Sequence, residues 1–193
     1  MSRESILERC RRNVKEQFPM PVLDDIKALE YDDPWGSFLE ISRSMGCNVL
    51  ECEPGESLDD VIRKAYPDAV DICSNVEGVT IANMNPDTLL NPSALNGVDV
   101  GVVSGVFGVA ENGCIWVPQT MKNKAVCFIS ENLVILVPKG QAVSNMHQAY
   151  KKIAFNDYGY GAFISGPSKT ADIAQVLVMG AQAARSVTII VTE

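Results

Sequence analysis

Asp33-Pro34-Trp35-Gly36-Ser37-Phe38-Leu39-Glu40-Ile41-Ser42-Arg43-Ser44-Met45-Gly46-Cys47-Asn48-Val49-Leu50-Glu51-Cys52 contains a complete helix-to-strand unit with its own punctuation. The Asp33 side chain can accept from the free amides that open a helix, and Pro34 suits the first helical position, where no amide is needed. Trp35, Phe38, Leu39 and Met45 then share one helical face, and Gly46 closes the helix. Residues 47–52 read as the strand that follows. Working outward, the unit repeats. Ser57 with Asp60 resembles a capping box that opens a helix to about Tyr66, Pro67 ends it, and residues 69–73 form a strand. After a polar stretch at 83–96, read as loop or short helix, residues 98–103 read as a buried strand. Residues 113–117 and 133–137 are further strands, while 125–129 is an apolar run of either kind. A helix at 143–155 with Val143, Met146, Ala149, Tyr150 and Ile153 inward, a strand at 161–165, a helix at 170–179 and a strand at 187–192 complete the pattern. Strands separated by single helices pair in parallel through right-handed crossovers. The expected fold class is therefore α/β, a three-layer sandwich on a mostly parallel sheet, with an antiparallel strand or two from the middle of the chain.

The chain has 193 residues, enough for one domain with a full core. We place that domain at residues 34–193, preceded by a helical arm and linker at 1–33. In the arm Ile6, Leu7, Cys10, Val14 and Phe18 form one apolar stripe before Pro19 and Pro21 break the helix, so it is expected to pack on the domain. Sixteen basic against 24 acidic residues give a net charge of −8. That balance argues against wide contact with nucleic acid or anionic lipid, which needs clustered Lys and Arg. No signal core and no membrane-length apolar run is visible, so a cytoplasmic protein is expected. The cysteines at 10, 47, 52, 73, 114 and 127 lack the two-residue spacing of zinc and iron–sulfur sites. Cys73, Cys114 and Cys127 lie in apolar runs and read as buried thiols. Trp35 and Trp116 read as core or interface aromatics.

In an open parallel sheet, ligands gather outside the carboxyl ends of the strands. Three stretches therefore attract attention as walls of one pocket: residues 74–78, residues 104–113, and the segment after Ile164. In the last, Ser165-Gly166-Pro167-Ser168-Lys169-Thr170-Ala171-Asp172 reads as a small-residue turn that enters a helix. Free backbone amides and the positive end of the helix dipole would meet two hydroxyls and an ammonium there, an arrangement suited to a phosphate or carboxylate. The same residues also read as an ordinary cap, with Ser168 or Thr170 bonding the first turn and Asp172 complementing its dipole. Glu111, beside Asn112-Gly113, could act as acid, base or nucleophile, although Asn-Gly is also common turn chemistry. The glycines at 101, 105 and 108 lack dinucleotide-fingerprint spacing. His147, the single histidine, stands mid-helix, and no Gly-x-Ser-x-Gly occurs, so classical hydrolase chemistry is not expected.

The run Ser165-Gly166-Pro167-Ser168-Lys169-Thr170-Ala171-Asp172-Ile173, followed by Leu177-Val178-Met179-Gly180, resembles the LUD domain of the lactate utilization protein C type. Ala110-Glu111-Asn112-Gly113-Cys114-Ile115 is similar to that family's Ala-Glu-Thr-Gly-Thr segment, and the likeness extends over residues 35–193. It implies a fold like that of glucosamine-phosphate deaminase, ribose-phosphate isomerase and the CoA transferases. It also implies a cytosolic part in oxidising L-lactate to pyruvate, as a component without a cofactor of its own beside partner subunits that carry iron–sulfur clusters. A second copy of the chain is a further candidate partner. The ligand would be a small carboxylate or phosphate held by Asn112, Gly113, Ser165, Gly166, Pro167, Ser168, Lys169, Thr170 and Asp172, with Glu111 as the catalytic candidate. Two departures are visible: Gln182 stands about where the family has the histidine of a His-Gly-Pro element, and Asn112 and Cys114 replace two threonines. Ala110-Glu111-Asn112-Gly113 is also similar to the Ser-Glu-Asn-Gly motif of CoA transferases, in which the Glu forms the acyl intermediate. A CoA transferase-like enzyme and a non-catalytic interaction protein are thus the competing readings.

Overall fold

A computed structural model of the chain describes residues 2–16, 18–19, 21–22, 26–53, 55–154, 159–171, 177–180 and 184–193. Its centre is a five-stranded parallel sheet in the order β1 (Cys47–Glu51), β11 (Ser186–Thr192), β6 (Asn132–Pro138), β3 (Val100–Ser104), β2 (Ile72–Ser74). α2 (Pro34–Ser44) leads into β1 as its punctuation requires: the Asp33 carboxylate accepts from the Gly36 amide at 3.0 Å, and Gly46 takes φ +93°. α3 (Leu58–Ala65) connects β1 to β2 and is capped by Ser57, which accepts from the Asp60 amide. Alternate residues of the strands go to opposite faces. Val100, Val102, Val134, Leu136 and Ile190 pack against Val61 and Ile62 of α3. Val103, Leu133, Ile135, Val137, Val187 and Ile189 pack on the other side against Phe38 and Leu39 of α2 and Val126 and Cys127 of α4 (Val126–Ile129). Burying each such side chain stabilises the fold by about 1.5–3 kcal/mol, so both faces are hydrophobic for a reason and the strands read as unbroken apolar runs. α4 lies so close to β3 that a Cβ on Gly101 would come within 2.5 Å of the Ser130 hydroxyl and 3.0 Å of the Val126 carbonyl.

The second layer of strands differs from the expectation of one sheet with an antiparallel strand or two. A separate four-stranded sheet has the order β7 (Ala142–Val143), β4 (Phe107–Val109), β5 (Cys114–Pro118), β8 (Gly161–Ile164), with β4 and β7 parallel and the other pairs antiparallel. One of its faces sends Ile115 and Val117 into the core beneath α2, and the other sends Phe107, Val109, Cys114 and Trp116 against Ala149 of α5 (Met146–Lys152). The order through the body is thus α3, parallel sheet, α2 and α4 with the mixed sheet, then α5. β4 and β7 have three residues and two, too few for any period to show in the sequence. α5 is also shorter than residues 143–155: Asn145 caps it, it ends at Lys152, and Tyr150 is exposed rather than inward.

Two further expectations are corrected. Residues 170–179 do not form the anticipated helix along their described parts. β9 (Lys169–Ala171) and β10 (Leu177–Met179) pair as antiparallel strands, Met179 opposite Lys169, while residues 172–176 lie outside the described residues. Apolar residues at 173, 176, 177 and 180 fit a helical face, but the β-branched Thr170, Val176 and Val178 favour strand, and so short a run cannot decide between the two. The arm helix α1 (Arg3–Asn13) forms, capped by Ser2, but none of its residues is buried. The chain is bonded to the body at Leu29, whose carbonyl accepts from the Asn145 amide group, and at Tyr31, whose amide donates to the Ser144 hydroxyl. No helix among the described residues is long and apolar enough to cross a membrane.

Candidate functional site

The family-like segments meet beside the amino end of β1, opposite to the end expected for an open parallel sheet. β4 leaves the carboxyl end of β3, anchored where the Gly105 amide donates to the Leu136 carbonyl at 2.8 Å. It runs back along the body, so the β4–β5 turn reaches α2 near that helix's end: the Ser42 hydroxyl donates to the Gly113 carbonyl at 3.4 Å, and Gly113 has φ +63°. From the mixed sheet's far edge, β8 delivers Ser165 to the same place. Its hydroxyl donates to the Asn112 carbonyl at 2.8 Å. Residues more than fifty apart in sequence are therefore joined by one side-chain hydrogen bond.

The turn that follows Ser165 is fitted to the start of β1. Gly166 has φ +65°, and a Cβ there would lie 2.8 Å from the Met45 carbonyl, so the position needs glycine on two counts. Pro167 is buried and faces Gly46, and Ser168 is tied through its backbone, its amide to the Ala184 carbonyl at 3.1 Å and its carbonyl to the Gly180 amide at 3.0 Å. These bonds continue into β9, so Ser168 does not cap a helix. The turn forms one wall of a groove of about 380 Å³, whose other walls come from Met45, Phe128 of α4, Leu133 and Val187 at the amino ends of β6 and β11, and Phe163 of β8. Lys169 is exposed and lines the groove. Burial pushes the Cys47 thiol up to about 11, outweighing a hydrogen bond with the Gly166 backbone and the Lys169 ammonium, which pull it down. Burial likewise pushes Cys127, another lining residue, up to about 12. Both thiols are protonated at neutral pH and lack the thiolate character of a nucleophile.

Glu111 lies in the β4–β5 turn and does not line the groove. Its carboxylate accepts from the Met146 amide at 2.9 Å, in the first turn of α5, and its own amide donates to the Ser144 carbonyl at 2.9 Å. An anionic side chain at that position complements the helix start. Asn112 bonds the Cys114 amide through its side chain at 3.2 Å, the turn chemistry its type favours.

Thus the structure brings Asn112, Gly113 and Ser165 to one locus and Gly166, Pro167, Ser168 and Lys169 into one groove wall. Thr170 follows in β9, and Asp172 lies outside the described residues. The stretch at 74–78 is not part of this site. It follows the carboxyl end of β2, where the Ser74 hydroxyl donates to the Val102 carbonyl and the Asn75 amide group to Asp87 and Thr120. Met45, Cys127 and Phe128 carry no site signal in the sequence, because an apolar residue in a groove wall has the same signature as one in a core. His147 is exposed in the first turn of α5 rather than mid-helix, and Trp116 is buried against Phe163, ring centroids 4.9 Å apart, as its reading as a core aromatic anticipates.

Comparison with known proteins adds three findings. Residues 91–192 match the LUD domain family. A stretch of 103 residues is 29% identical to lactate utilization protein C of Oceanobacillus iheyensis and covers 49% of this chain and 44% of that protein, so the match spans less than half the relative's length. The fold is similar to the crystal structure of a DUF162 family protein from Deinococcus radiodurans, with a TM-score of 0.65 at 14% identity, covering 86% of this chain and all of that one.

Proposed function

This chain belongs to the LUD-domain family, and we propose that it serves as the cluster-free component of a cytosolic system that oxidises L-lactate to pyruvate, where it binds a small carboxylate. Iron–sulfur subunits are the proposed partners. The observation that carries the reading is the Ser165 hydroxyl bonded to the Asn112 carbonyl at the edge of the groove. Both segments fall inside the family-matched region, 91–192, and their contact gives the two likenesses a common location. The chemistry differs from a helix-terminus anion site. Recognition here rests on the Lys169 ammonium and the Ser168 hydroxyl beside apolar walls, which suits a carboxylate with a short apolar body better than a bare phosphate. The acyl-transfer reading of Glu111 gains no support from a carboxylate that caps α5.

Thermal melts with L-lactate, pyruvate and inorganic phosphate test the proposal. A carboxylate at a hundred times its Kd would stabilise the fold by about 2.7 kcal/mol, raising Tm by roughly 5–10 °C for a chain of this size. Lys169→Ala combined with Ser168→Ala should remove that rise while leaving the ligand-free melt close to wild type. A wild type that ignores all three anions, or a double variant that still responds, refutes it.

A further inference from the structure

α1 presents a paradox of stability. It spans eleven residues, Arg3–Asn13, and buries none of them. Helices of that length are marginal in water without tertiary packing, because nucleation is costly and few bonds follow it. Its apolar residues are nonetheless set for packing. Ile6, Leu7 and Cys10, followed by Val14 beyond the helix, fall within about 100° of one another around the axis at 3.6 residues per turn. Ile6 is 49% exposed, Leu7 40% and Val14 59%. Beyond them Phe18, Val22 and Ile26 are exposed as well, up to the point where Leu29 and Tyr31 fasten the chain to its own body.

The charges indicate what covers this face. Residues 1–16 hold five basic residues, Arg3, Arg9, Arg11, Arg12 and Lys15, against three acidic, a net of +2. The linker, residues 17–33, holds one basic and five acidic residues, and the domain, residues 34–193, holds 10 basic and 16 acidic, a net of −6. A basic amphipathic helix therefore extends from an acidic body. The body's charge disfavours an anionic lipid surface for the assembled chain, whereas an identical acidic body complements the arm. We propose that the arm of one chain docks its Ile6, Leu7, Cys10 and Val14 face on the body of a second copy, with the exchange reciprocated across a two-fold axis. Reciprocal exchange closes the assembly at two chains and buries both stripes. The basic side of each arm lies over acidic surface, so the association weakens as salt rises.

Sedimentation equilibrium of the full chain across concentration tests this. Wild type should be a dimer at low salt that dissociates on dilution and at high salt. Ile6→Glu with Leu7→Glu should raise the dimer dissociation constant by about tenfold or more and leave the thermal melt of the monomer unchanged, since neither side chain is buried in it. Arg11→Glu with Arg12→Glu, which keeps the apolar stripe, should weaken the dimer at low salt and abolish its salt dependence. A wild type that stays monomeric at every concentration, including one whose arm is protected in hydrogen exchange because it folds onto its own body, overturns the proposal. So does a dimer that neither variant weakens.

Discussion

Gly166→Ala separates a conformational requirement from a packing one at the groove. The backbone there stands at φ +65°, and the new Cβ would meet the Met45 carbonyl oxygen at 2.8 Å and the Met45 Cβ at 3.4 Å. The left-handed conformation alone costs an L-residue about 1–2 kcal/mol. Adding a methyl group against backbone that cannot rotate away costs roughly another 1–3 kcal/mol, in line with overpacked cores. Gly140 supplies the control, because it has φ +74° and a Cβ there would have nothing within 4 Å, so Gly140→Ala carries the conformational cost by itself. Both substitutions also restrict the unfolded chain, which returns about 0.4–1 kcal/mol in each and cancels in the difference. Urea unfolding monitored by circular dichroism should therefore show Gly166→Ala less stable than Gly140→Ala by about 1–3 kcal/mol. The carboxylate-induced rise in Tm should also be lost in Gly166→Ala, because the turn that carries Ser168 and Lys169 must move off Met45. Equal destabilisation by the two substitutions would refute the close approach of this turn to the start of β1.

Glu111→Ala should cost about 1 kcal/mol in thermal unfolding, since the Met146 amide loses the carboxylate that accepts from it, and Glu111→Gln should recover part of that loss; a variant as stable as wild type would count against the capping role. Stability should also fall as pH rises above about 9. Burial pushes the Cys47 and Cys73 thiols from 9.0 up to about 11, and Cys114 and Cys127 up to about 12. Between those values the unfolded chain releases protons that the folded chain keeps, so each thiol favours unfolding by up to about 1.4 kcal/mol per pH unit. Urea titrations under reducing conditions at pH 8 and pH 10 should differ by several kcal/mol, and Cys127→Ala should flatten part of the slope; superimposable curves would exclude the contribution.

The legibility of this chain in its sequence follows the range of the interactions involved. The caps at Asp33 and Ser57, the stop at Gly46 and the apolar runs of β3, β6 and β11 are local or strongly hydrophobic, and each is found where its residues place it. β4 and β7 are held by their partners. Neither has enough residues to display a period, and β7 registers with just two residues of β4, Gly108 and Val109. The segment at 169–179 has apolar spacing compatible with either structure, so its strand pairing has no unambiguous sequence signal. α1 illustrates the opposite case, in which the local signal is right and the packing inferred from it is not. A stripe says that a helix has an apolar face, but it does not specify which molecule covers that face.

The position of the site also shows where the rule of the sheet's carboxyl end ceases to apply. That rule concerns loops that leave the strands of one parallel sheet and stay at its edge. Here the chain leaves β3 at the expected end, and the Gly105 amide still bonds Leu136 there. It then forms β4, whose hairpin turn lands on Ser42 of α2 and beside Ser165, next to β1's amino end. A second sheet thereby transports the Glu111-Asn112-Gly113 segment across the body to the end where β8 delivers Ser165. The proximity of the two family-like segments follows from the β4–β5 and β5–β8 pairings, with Ile115 opposite Ile164 setting the register that brings Asn112 within reach of Ser165. A one-residue slip in that register would turn Trp116 out of its contact with Phe163 and withdraw Ser165 from Asn112 together, so the core of the mixed sheet and the site share one constraint.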